Sequence, residues 1–140
     1  MTRKKNRTLK KDSFAEAIRK ACEGLFYPSE TDAEILPVFG GKLNTWSRET
    51  ILKELKVKEG DKIEGRTFEG FFTRLTKIQD WFTPTETEKA KQFLQVQKVL
   101  EENLDDLTVL RTGRIQIDIY VVGTDKAGNL AGIKTKAVET

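Results

Sequence analysis

The chain contains no histidine. That absence removes the usual general base, the commonest zinc ligand and the partner on which both Ser-His and Cys-His nucleophile pairs depend. Cysteine occurs once, at Cys22, so an internal disulfide is excluded and a reducing compartment is the expectation. No apolar run approaches the roughly 20 residues that a membrane-spanning helix needs. The basic N-terminal residues are not followed by the apolar core and small-residue cleavage site of a secretory signal, which also favours a cytoplasmic protein. Phosphate-cradling loops of the GxxxxGK[ST] and GxGxxG kinds are missing, because the glycines between Gly123 and Asn129 are spaced for neither. The adjacent carboxylates Glu101-Glu102 and Asp105-Asp106 fall on or just past an exposed helix end, where solvation accounts for them. Together these absences argue against an enzyme and leave binding as the function to look for.

Acidic residues are absent from Met1 to Lys11, a stretch that carries Arg3, Lys4, Lys5, Arg7, Lys10 and Lys11. The formal charge of +3 therefore belongs to the tail. Without those six cations, 19 basic residues face 22 acidic ones and the remainder carries −3. A nucleic-acid-binding domain needs a basic face on the folded part itself, and this one has the opposite balance. Residues 1–12 are expected to form a disordered basic tail that attracts nucleic acid weakly if at all, and residues 13–140 a single domain. With 140 residues, 37% of them hydrophobic and 34% charged, one core is expected.

What is present reads as alternating blocks. Ser13 and Glu16 form a capping-box pattern ahead of an apolar stripe of Phe14, Ala17, Ile18, Ala21 and Leu25, with Gly24 placed to end the helix. Cys22 lies beside that stripe and reads as a small core residue, since no histidine is present to activate it. Residues 25–32 read as a loop with Glu30 at its tip, and residues 35–39 as a strand whose Pro37 indicates an edge or a bulge. Gly40-Gly41 reads as a turn. A short helix is expected from Trp46-Ser47 to Leu55, and a second from Thr67 with an aromatic stripe of Phe68, Phe71, Phe72 and Leu75. Thr83-Pro84-Thr85-Glu86 is the clearest helix start in the chain, and the helix it opens should direct Ala90, Phe93, Leu94, Gln97, Leu100 and Leu104 at a sheet. From Leu107 onward the apolar period becomes two. Ile115, Ile117, Ile119 and Val121 then point one way, and the closing stretch alternates Ile133, Thr135 and Ala137 with Lys134 and Lys136. This order predicts an α+β fold in which helices cover a mainly antiparallel sheet.

Asp80-Trp81 stands out in the loop before Thr83. An exposed tryptophan sacrifices apolar burial and is over-represented at interface hot spots. The alternative is that Trp81 folds back as a lid on the aromatic stripe, and composition alone favours that lid reading.

Several blocks in the same order resemble the nuclease A inhibitor family, protein inhibitors of sugar-nonspecific DNA/RNA endonucleases. They are Gly24-Leu25-Phe26 with Ser29-Glu30, Phe71-Phe72 with Gln79-Asp80-Trp81, Ile117-Asp118-Ile119-Tyr120-Val121, Ala127 to Ile133, Thr135-Lys136 and Val138-Glu139-Thr140. The stretch from Gly40 to Arg66 resembles the family least, and the basic tail lies outside the matching blocks. The resemblance implies a three-layer α/β/α sandwich related to the PR-1 type of fold. It also implies a 1:1 complex with a ββα-metal endonuclease. In that complex the Thr140 hydroxyl would coordinate the enzyme's catalytic divalent cation, usually Mg2+, and Glu30 would stand in for phosphate charge. Asp80-Trp81 would form a second anchor. The inhibitor would hold no metal or cofactor of its own and would act in the producing cell. The alternative from another class is a small nucleic-acid-associated or protein-interaction module that uses the basic tail.

Overall fold

A computed structural model describes residues 13–58 and 60–139, so the expected tail and Thr140 lie outside the described residues. The first helix, α1, covers residues 13–22. It stops at Gly24, whose φ of +69° is the left-handed conformation that glycine adopts without strain. Ser13 is already helical, where the sequence pattern had placed an N-cap. The expected loop 25–32 contains two short strands, β1 (Phe26–Tyr27) and β2 (Ala33–Glu34), paired antiparallel as a small hairpin. Strand β3 (Leu36–Lys42) follows. Gly40-Gly41 does not turn the chain as expected. The pair lies inside β3, where the register against its neighbour shifts between Phe39 and Lys42, and glycines tolerate such a bulge.

Helix α2 (Arg48–Glu54) begins with a capping box in which the Thr50 amide donates to Ser47 Oγ at 3.2 Å and the Ser47 amide to Thr50 Oγ1 at 3.0 Å. Strand β4 (Ile63–Arg66) leads to α3 (Phe68–Thr76), capped by Thr67, and then to α4 (Pro84–Asn103). The Thr83–Glu86 box is formed in both directions, each bond 3.2 Å, with Pro84 in the first turn. Strands β5 (Asp105–Thr112), β6 (Gln116–Thr124) and β7 (Asn129–Val138) complete the chain.

The large sheet has the order β3-β7-β6-β5-β4, and every pairing in it is antiparallel. Pro37 is thus on an edge strand, as its missing amide requires. One face of the sheet presents Val109, Ile117, Ile119, Val121, Ile133 and Ala137 to α1, α3 and α4. The opposite face places Leu110, Val122 and Leu130 against Ile51 of α2. The architecture is mixed α+β, with helices on both faces of an antiparallel sheet.

Three positions expected to face inward, Leu94, Gln97 and Ile115, are not buried. On α4 the buried residues are Ala90, Phe93, Val96, Val99 and Leu100, whereas Leu94 is exposed and Gln97 only half-buried. The sheet and α3 both pack against this helix, so its apolar face is wide and centred on Phe93 and Leu100, away from Leu94. Ile115 is also exposed, because β6 starts one residue later and Ile115 sits in the turn after β5. Cys22, by contrast, is buried as expected, and burial pushes its thiol up to about 12. Iodoacetamide at about pH 8 should therefore leave the native thiol unmodified and label it only on unfolding. Rapid native-state labelling would contradict the packing of α1.

Candidate functional site

Glu30 and the end of β7 are more than a hundred residues apart in sequence and meet through the hairpin. Thr135, buried on β7, donates from Oγ1 to Glu34 O at 2.9 Å, with Ala33 O at 3.3 Å, so β2 is fastened to the last strand. Further along, the Val138 amide donates to Ser29 Oγ at 3.3 Å. The same hydroxyl donates to Thr31 O at 2.7 Å and accepts from the Thr31 amide at 3.3 Å, which holds the tip in a tight bend around Glu30. Beneath the tip, Tyr27 stacks on Phe71 of α3 with ring centroids 5.7 Å apart and planes 5° from parallel. The hairpin is thereby supported from the sheet and from a helix. Glu30, Asp32 and Glu34 are all exposed on it, a concentration of negative charge in a segment of seven residues from Pro28 to Glu34.

Beyond Val138, the Glu139 amide donates to Ile115 O at 2.9 Å, and the Glu139 carboxylate forms an ion pair with Arg111. Arg111 is on β5, two strands away, and reaches across β6 on the helix-covered face. Its Nε is shut off from solvent with no hydrogen-bond partner among the described residues. A buried unsatisfied donor costs on the order of 1–3 kcal/mol. Exposed Ile115 stands on the same rim and adds apolar surface next to the strand end.

Asp80-Trp81 is carried separately, on the α3–α4 loop between Thr76 and Pro84. Trp81 is 74% exposed, and its ring neighbour is Phe82, edge-on at 6.3 Å. It is not a lid on the aromatic stripe. Phe72 fills that place without it, fully buried and packed against Phe68 and Phe71 at 4.9 and 5.1 Å. The structure therefore joins the Glu30 hairpin to the end of β7 and presents Asp80-Trp81 from another element.

A cleft of about 500 Å³ opens between the hairpin and the part of the sheet that α2 leaves bare, lined among others by Phe26, Asp32, Asp118, Tyr120, Lys134 and Lys136. Burial, and then the neighbouring Asp118, push the Tyr120 phenol above its ordinary range, so it remains a neutral hydroxyl. Among the described residues no three His, Cys, Asp or Glu side chains gather as a metal site would require. Sequence reasoning missed Asp32, Glu34, Ile115 and Arg111; Ser29 is the cap of a short turn that its position before Glu30 suggests, but its tie to Val138 was missed. The acids were legible as a run. The roles of Ser29 and Arg111 were not, because their partners are distant in sequence.

The family model for nuclease A inhibitor-like proteins matches residues 12–140. The chain belongs to that family. No curated protein matches this nuclease A inhibitor-like chain. Membership makes a nuclease the family's characteristic partner and binding the family's mode of action.

Proposed function

We propose that this inhibitor-like protein blocks a sugar-nonspecific DNA/RNA endonuclease of the ββα-metal kind in a 1:1 complex, in the cytoplasm of the producing cell. The observation that carries the reading is the Ser29–Val138 hydrogen bond, which sets the acidic hairpin beside the strand that leads into Thr140. Glu30 then enters the nuclease site as a phosphate mimic, where a carboxylate presents anionic oxygens to cationic side chains built for a phosphodiester. The Thr140 hydroxyl supplies one hard oxygen to the enzyme's divalent cation. Mg2+ accepts such ligands in exchange for water, so no metal of the inhibitor's own is needed. Asp80-Trp81 engages the enzyme away from the metal, and Trp81 contributes apolar burial there.

The test is titration of a magnesium-loaded sugar-nonspecific endonuclease with the full-length protein, with binding also measured in the presence of a chelator. Inhibition should saturate at one inhibitor per enzyme. Chelation and Thr140→Val should each weaken binding by on the order of 2 kcal/mol, the size of one interface hot spot. Full affinity in both conditions would exclude Thr140 as a metal ligand.

A further inference from the structure

We infer that Arg111 and Ser29 are positioning residues that hold the two inhibitory elements, the Glu30 hairpin and the strand end leading to Thr140, in one fixed arrangement. The inference rests on the proposed role of Thr140. The last ladder pair of β7 is Gln116 with Val138, so the regular sheet ends there. Chain beyond a ladder frays unless something ties it down, and here, besides the Glu139 amide that donates to Ile115 O, two different side-chain ties act on adjacent residues. The Val138 amide is held by Ser29 Oγ on the hairpin side. The Glu139 carboxylate is held by Arg111 from the far side of β6.

The register explains why the second tie is possible. Arg111 pairs with Ile119, and Ala137 pairs with Ile117, on the helix-covered face. Residue 139, two positions after Ala137, returns to that face and meets the guanidinium there. Arg111 is mostly buried and Glu139 half-exposed, so the pair is less screened than one wholly at the surface. The Arg111 Nε is closed off from solvent with no hydrogen-bond partner among the described residues, so the guanidinium that meets Glu139 is packed into the sheet rather than extended into water. Ser29 couples the strand end to the hairpin, because the hydroxyl that accepts from Val138 also donates to Thr31 O across the bend containing Glu30. Neither Arg111 nor Ser29 has to touch the nuclease to affect inhibition.

Two readouts test this in the full chain. In the free protein, Arg111→Gln and Ser29→Ala should each accelerate amide exchange at Val138 and Glu139 by about tenfold while leaving the α4 amides unchanged. Against the magnesium-loaded endonuclease, Glu139→Gln should weaken inhibition about tenfold alone and less than about twofold in a Thr140→Val background, yet retain its full effect beside Trp81→Ala. Arg111→Lys should recover part of what Arg111→Gln loses. Unchanged exchange in both variants would overturn the inference, as would a Glu139→Gln effect that adds fully to Thr140→Val. In the latter case a measurable Thr140→Val loss would leave the metal-ligand reading standing. No loss from Thr140→Val at all would remove that reading, and this one with it.

Discussion

Glu30→Gln combined with Trp81→Ala should weaken nuclease inhibition by about 4 kcal/mol, roughly a thousandfold. Each change alone is expected to cost about 2 kcal/mol. For Trp81 the reason is area: a ring that is 74% exposed in the free protein has most of its surface still to bury. For Glu30 it is charge, because the amide keeps the shape and removes the anion that cationic groups would face. The two effects should add, since the residues are carried by different elements, the β1–β2 hairpin and the α3–α4 loop. Salt separates them further. Raising ionic strength should shrink the Glu30 contribution and leave the Trp81 contribution nearly unchanged. Inhibition constants for the two single variants and the double variant, at two salt concentrations, provide the check. Wild-type potency in the double variant would remove both residues from the interface.

Gly132→Ala should cost more than about 4 kcal/mol, a large share of the roughly 5–15 kcal/mol available to a domain of this kind. Gly132 has φ +159°, and a methyl group there would lie 2.0 Å from Val121 O and 2.8 Å from Val122 Cα. Both obstacles are backbone atoms of β6, directly opposite in the ladder, and cannot rotate away. Strand β7 sits between β3 and β6, so forcing β6 and β7 apart disturbs a central pairing of the sheet rather than an edge. Gly24→Ala is the control. There φ is +69° but the space is open, so only the left-handed strain of about 1 kcal/mol is expected. Urea unfolding of both variants measures the contrast, and a Gly132→Ala protein as stable as wild type would contradict the β6–β7 register. Such a variant would also lose inhibition for a purely structural reason, because β7 leads to Thr140.

Local chemistry was legible where it is strong and short-range. The Thr83–Glu86 box, the helix start at Trp46-Ser47 and the Gly24 stop each depend on a few neighbouring residues, and all three stand where the pattern put them. The alternation of β7 was equally plain: Ile133, Thr135 and Ala137 are buried, and Lys134 and Lys136 are exposed. Errors arose where burial depends on what packs from outside the element. Leu94 fits the helical period as well as Val96 does, and only the directions from which the sheet and α3 approach decide between them. Gly40-Gly41 has the composition of a turn, yet pairing with β7 carries the strand through it. The short β1–β2 pair carries no periodic signal at two residues per strand, so it read as loop.

By itself, then, the sequence determined the helix starts after Ser47, Thr67 and Thr83, the inward face of the last strand, the absence of histidine-based chemistry and the resemblance that the family match upholds. Those are properties of neighbouring residues or of composition, and they need no knowledge of which distant segments meet. The tertiary structure alone decided that Trp81 stands clear of the core, that Ser29 fastens the acidic hairpin to Val138, and that Arg111 reaches Glu139 across an intervening strand. Each of these is a contact, or a missing contact, between segments whose proximity is set by strand order and register. One residue of slip in β7 would turn Glu139 to the other face and away from Arg111.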